Sequence, residues 1–232
     1  MPDDPSSPAG SGPVVAKDKI LHTIIDGARI DVAITSGDWS IDRLPIAGQG
    51  PADGAPSPIS LCHKAAKAAL RGGIAGRPDL HSCLASLAPD QARGMMVELA
   101  VELADDQRVA RLNADYRGKS GPTNVLSFPA FEADDLAAAF AATPPGMPLM
   151  LGDLILADGV MTAEALAQGK DFSDHLSHLV VHGVLHCLGY DHQEDDEASI
   201  MEALERRILA DLGIADPYAD TGPHDDKGRA GQ

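Results

Sequence analysis

The chain has 232 residues, 44% of them hydrophobic, which suffices for one domain with a buried core. Three cysteines without a paired spacing exclude a disulfide scaffold, and no apolar run reaches the ~18 residues of a membrane span. A formal net charge of −17 excludes an overall basic footprint for nucleic acid, and 3% aromatics leave base-stacking platforms scarce, so a polyanion would be met by a local cluster of cations or through a larger assembly. The N-terminus lacks the basic and apolar regions of a signal peptide, and a cytoplasmic location is expected.

Residues 1–17, rich in Pro, Ser, Gly and Asp, are expected to form a disordered tail, as is the polar segment 219–232, leaving one domain over 18–218. Partial alternation in Ile24-Ile-Asp and Ile30-Asp-Val-Ala-Ile34 predicts strand over 18–36, with Trp39 as a core anchor. Four prolines and three glycines make 45–58 a loop. The spacing of Ile59, Leu61, Ala65, Ala69 and Leu70 predicts a helix over 60–70. Gly72-Gly73, Pro78 and Pro89 break up 71–93, which has room for a short helix. A strand follows over 95–103, then a helix capped by Asp105 or Asp106 and running to Tyr116, with Val109 and Leu112 inward. A loop carries Arg117, and strand 123–128 is stopped by Pro129. The alanine-rich stretch 130–149, with Pro144-Pro145, reads as an insertion or mobile loop. Strand 149–156 and helix 162–169 come next. A further helix starts at Asp171 or Ser173 and ends near Gly189. The last helix covers 195–212, with Ile200, Leu204 and Ile208 on one face and Gly213 as its stop.

The segment His182-Gly-Val-Leu-His186-Cys-Leu-Gly189-Tyr-Asp-His192 carries the clearest chemistry. Histidines four apart on a helix project from one face and can share an ion. Gly189 can end the helix, and the chain turns back to present His192. Three imidazoles leave a fourth position open, the pattern of a catalytic rather than a structural zinc site, and hydrolysis is the natural reaction class. The spacing matches zinc peptidases with H-E-x-x-H-x-x-G-x-x-H, but their general base is replaced here by Gly183. The order of elements predicts one α/β (α+β) domain, a small mixed β-sheet packed with helices, with the metal site at the end of a central helix.

Together with this segment, Leu112-Asn-Ala-Asp-Tyr-Arg117-Gly-Lys119-Ser-Gly-Pro122-Thr-Asn-Val-Leu-Ser-Phe-Pro129 closely resembles the YbeY family of bacterial endoribonucleases and ribosomal RNA maturation factors. Leu151-Gly-Asp153, His178-Leu-Val-Val-His182-Gly, Met201-Glu-Ala-Leu-Glu205 and Leu212-Gly-Ile-Ala-Asp-Pro-Tyr218 are further matches. The resemblance implies a zinc-dependent, single-strand-specific endoribonuclease with one Zn2+ per chain. It implies action on the 3′ end of small-subunit ribosomal RNA and in ribosome quality control, with the small subunit or its associated factors as partners. The family's zinc ligands map onto His182, His186 and His192, and its functionally important arginine onto Arg117.

Arg117 is read as a fork for the scissile phosphate and Lys119 as a neighbouring phosphate contact or a solubilising lysine. Strand 123–128 and the Arg117 loop are expected to form the second wall of a cleft, which Thr123 and Ser127 could line. Asp153 and Asp191 are candidates for orienting a ligand imidazole, with ordinary turn roles as the alternative. His178, near His175, is read as packed rather than substrate-binding, and Cys187 as packing. Two other functions fit the same residues: a zinc peptidase with an unusual base, and a ribosome assembly factor whose metal only holds the fold.

Overall fold

The computed structural model of the chain describes residues 24, 25, 27–39, 56–88 and 94–219. The expected tails, apart from Ala219, and most of the 45–58 loop lie outside the described residues. Four strands, β1 (Arg29–Ile34), β2 (Met96–Ala104), β3 (Val125–Pro129) and β4 (Pro148–Ala157), form one sheet in the order β1-β2-β4-β3. β1, β2 and β4 are parallel, and β3 pairs antiparallel with β4. The described helices are α1 (Pro58–Gly76), α2 (Pro78–Ser86), α3 (Asp106–Arg117), α4 (Leu136–Ala142), α5 (Asp158–Gln168), α6 (Phe172–Cys187) and α7 (Asp195–Asp211). The expected mixed sheet with packed helices is therefore the fold observed.

Strand alternation sorts the two faces of the sheet. Val97, Leu99, Val101 and Leu103 of β2 join Leu154 and Leu156 of β4 in the main core, together with the apolar residues of α1 and α6. On the other face Ala104, Leu126, Ile155 and Ala157 form a smaller cluster with Val109 and Leu112 of α3. The central helix α6 buries Leu176, Leu179, Val180, Val181, Val184 and Leu185. Its N-terminus is capped as expected: the Asp171 carboxylate accepts from the backbone N–H groups of Ser173 (2.7 Å) and Asp174 (3.3 Å).

Two glycines let α6 settle on the sheet. A Cβ at Gly183 would lie 2.7 Å from Leu154 Cδ2 and 3.1 Å from Ser127 Oγ. Gly152 sits where the β2–β4 register shifts, with φ of +145°, and a Cβ there would lie 2.3 Å from Phe128 O and 3.0 Å from Cys187 Sγ. Only glycine lets the edge strand and the end of α6 close on this point. Cys187 is buried there, as packing.

Four expectations need correction. Ile24 and Ile25 are helical rather than strand, and both are buried, which adjacent residues of a half-buried strand cannot be. The helix expected over 60–70 runs on through Gly72-Gly73, because their missing side chains admit Ile208 and Leu188. The 130–149 stretch is not an open loop: α4 buries Leu136 and Phe140, and Cys83 donates to Ala137 O at 3.2 Å. In α7 the inward face is Met201, Leu204, Glu205, Ile208 and Leu209, while Ile200 is 60% exposed.

Candidate metal centre

Residues 178, 182 and 186 lie one turn apart along α6, and the first two meet Glu205 of α7. His182 and His186 lie in the last turns of α6, and their rings meet edge to face with centroids 4.6 Å apart. Beyond Cys187 the chain turns at Gly189 (φ +80°) and brings the exposed His192 back, its ring centroid 5.4 Å from that of His182 and 5.0 Å from that of His186. One nitrogen from each imidazole lies within 4.8 Å of the others, the one such cluster among the described residues.

The hydrogen bonds decide which nitrogens face inward. His182 Nδ1 lies 2.8 Å from Glu205 Oε1 and His186 Nδ1 lies 3.0 Å from Tyr190 O. A carboxylate and a carbonyl can only accept, so both Nδ1 atoms carry the proton in the neutral rings. Their Nε2 atoms then present lone pairs to each other at 3.1 Å. Two facing lone pairs repel unless a proton or a cation sits between them. Zinc–imidazole bonds of about 2.0–2.1 Å at a tetrahedral angle place two ligand nitrogens about 3.3 Å apart. The donor set, tautomers and spacing therefore fit a divalent ion. Burial, with the neighbouring His182 and His192 rings, pushes His186 down to about 4 and favours the neutral, ligating form.

Glu205 is the residue that sequence reasoning did not assign. Only 1% exposed, it accepts from His182, from His178 Nε2 at 3.0 Å and from the Tyr218 hydroxyl. Burial alone raises its pKa, but these hydrogen bonds outweigh it and hold the carboxyl well below the usual carboxylate range. A signal was present: in α7 it occupies the apolar stripe of Met201, Leu204 and Ile208, where an unpaired acid has no place. Of the two readings offered for Asp153 and Asp191, orienting an imidazole or an ordinary turn role, no hydrogen bond supports the first. Asp153 is exposed on β4, paired in register with Phe128, and makes no hydrogen bond to an imidazole. Asp191 Oδ1 accepts the backbone N–H of His192 at 2.7 Å and shapes the turn. His178 is a packed, hydrogen-bonded histidine, as expected, and His175 pairs with Glu164 at 2.9 Å.

Arg117 ends α3, on the sheet face opposite α6. Its neighbour Tyr116 meets Phe128 edge-on, with centroids 5.2 Å apart, and Phe128 is adjacent to the Pro129–Gly152 pair that Cys187 covers. Arg117 and the triad thus share one end of the sheet, flanking the β3 edge, but no hydrogen bond or ion pair joins them. The expected cleft wall is present in part: β3 lies beside α6, with Ser127 against Gly183, while Arg117 comes from the far face. Arg117 and Lys119 are exposed, and neither side chain has a hydrogen-bond or ion-pair partner among the described residues.

The sequence profile described as Endoribonuclease YbeY matches residues 78–213, more than half of the chain. A Parvibaculum lavamentivorans protein described as Endoribonuclease YbeY is 60% identical over 126 residues, covering 54% of this chain and 68% of that one. A protein of the same description from Paramagnetospirillum magneticum is 58% identical over 125 residues, covering 54% and 73%. The solution structure of TM1509 from Thermotoga maritima overlaps with a TM-score of 0.42 at 19% identity, covering 85% of this chain and 98% of that one. The matched stretch contains the three imidazoles, Glu205 and Arg117 at the end of α3, a helical position where a loop was expected, and on that match the chain belongs to the YbeY endoribonuclease family, known for ribosomal RNA processing.

Proposed function

We propose that this chain is a metal-dependent endoribonuclease that cuts single-stranded RNA, with His182, His186 and His192 holding one Zn2+ per chain. The observation that carries this reading is the pair of facing Nε2 atoms at 3.1 Å, each on a ring whose other nitrogen is already engaged. When bound, the ion supplies Lewis acidity toward a phosphoryl oxygen. The chain's own residues do the rest. Glu205 and the Tyr190 carbonyl fix two ligand rings in one tautomer. Arg117, exposed and unpartnered, is free to fork onto a phosphate and offset developing negative charge, and Lys119 offers a second phosphate contact.

The peptidase alternative is weakened further by packing: at position 183, where such enzymes keep their base, even a Cβ would lie 2.7 Å from Leu154 Cδ2 and 3.1 Å from Ser127 Oγ, so a longer side chain would be aimed into the sheet. The purely structural alternative is weakened by three imidazoles rather than four ligands, one of them exposed. Family membership supports ribosomal RNA, at the 3′ end of the small-subunit species, as the substrate, and the small subunit or its associated factors as partners. The thiols Cys62, Cys83 and Cys187, which form no disulfide, support a cytoplasmic location. No described helix is long and apolar enough to cross a membrane.

The test is cleavage of single-stranded ribosomal RNA by metal-quantified protein, wild type beside Arg117→Ala. Loss of a phosphate clamp should lower the rate about 100-fold. Zinc content and melting temperature should not change. Equal rates in both proteins would remove Arg117 from the site, and absence of cleavage in either would favour the assembly-factor reading.

A further inference from the structure

Arg77 lies at the junction of α1 and α2, outside the stretch matched by the family profile, with its side chain only 15% exposed. Its guanidinium engages three segments. Nη1 donates to Leu188 O at 2.9 Å, Nη2 donates to Ala133 O at 2.9 Å, and Nε donates to Asp79 Oδ1 at 3.0 Å, with Nη2 also paired to Asp79 Oδ2. The Asp79 carboxylate aims the fork.

Leu188 is the C-cap of α6, where carbonyls lack intrahelical partners and need donors from elsewhere. The same turn is tied down from both sides. Gly189 N donates to His186 O at 2.9 Å, Tyr190 N to Leu185 O at 3.0 Å, and the Tyr190 hydroxyl to Gly73 O at 2.7 Å. Contact is close: a Cβ at Gly189 would lie 2.5 Å from Arg77 Nη1 and 2.8 Å from Ala133 Cα. This turn supplies the Tyr190 carbonyl that holds His186 Nδ1, and two residues later it delivers His192. A planar fork with fixed donor directions restrains such a turn in a way that a single ammonium cannot.

We infer that Arg77 is a positioning residue of the metal centre: its guanidinium locks the turn from Leu188 to Tyr190, so that His186 keeps its Nε2 free and His192 arrives beside it. The inference rests on the proposed role of the triad. It also makes the loop after β3, through Ala133, part of the same restraint.

The test is zinc affinity, measured by competition with a chromophoric chelator on the full chain stripped of metal. Arg77→Met removes all donors, and Arg77→Lys keeps the charge but not the fork. Outer-shell partners typically contribute about 10–100-fold to metal affinity, and a loss of that order is expected for Arg77→Met, with a smaller loss for Arg77→Lys. Leu103→Ala, in the core at the far end of β2, is the control for a general loss of stability and should keep wild-type affinity. Should Arg77→Met fail to fold, Arg77→Lys against the same control carries the comparison. Wild-type affinity in the Arg77 variants, or an equal loss in the control, would overturn the inference. Wild type that binds no zinc would overturn the metal-centre reading itself and this inference with it.

Discussion

The Glu205 carboxylate, buried beneath the triad, accepts from two imidazoles and a phenol, so its removal leaves several buried donors without an acceptor. Glu205→Ala should therefore destabilise the metal-free protein by roughly 2–4 kcal/mol, read from denaturant unfolding. Glu205→Gln keeps an acceptor and the shape. It should melt closer to wild type while weakening zinc by about 10–100-fold, as measured by chelator competition. His186 adds a pH dependence. Its folded pKa, pushed down to about 4, lies below the ordinary histidine value of about 6.5, so the unfolded chain binds the extra proton first. Stability of the metal-free protein should thus fall as pH drops from about 6.5 towards about 4, and His186→Gln should flatten that part of the curve. A wild-type unfolding midpoint that is level across this window would show that His186 is not held neutral by the fold.

At the scale of elements, the seating of α6 on the β3–β4 edge decides where the imidazoles stand. Gly183→Ala pushes a methyl into Leu154 and should lower stability by about 1–3 kcal/mol, measured by thermal melting. Gly183→Glu, which restores the peptidase spacing, should yield a poorly folded protein with no casein cleavage, since the side chain points at the sheet. The local motifs were legible because their geometry is local: the i, i+4 spacing of His182 and His186 and the helix stop at Gly189 depend only on helical periodicity and backbone freedom. Glu205 meets His182 from 23 residues away, and Arg77 meets Leu188 from 111 residues away. Such contacts come from packing between elements and leave no periodic trace. The side of the sheet on which α3 would lie was illegible for the same reason, which is why Arg117 turned up on the far face. The extension of α1 through two glycines was hidden because their cause, Ile208 and Leu188, lies on other elements.

For the whole molecule, a net charge of −17 must be reconciled with a polyanionic substrate. Arg117 and Lys119 are local, unpartnered cations, whereas Arg29, Arg77, Arg108 and Arg206 are engaged with carboxylates. Binding of single-stranded RNA should accordingly show a shallow salt dependence, with Arg117→Ala lowering the log–log slope by about 0.7. A slope unchanged by that substitution would place the phosphate contacts elsewhere on the surface. On the proposed function, RNA cleavage depends on one ion held by the three imidazoles. Chelator-stripped protein, verified free of metal, should be titrated with zinc while cleavage of single-stranded RNA is followed. Activity should return in step with one zinc per chain and fail to return in His192→Ala; stripped protein that cuts RNA at the full rate would show that the ion takes no part in cleavage.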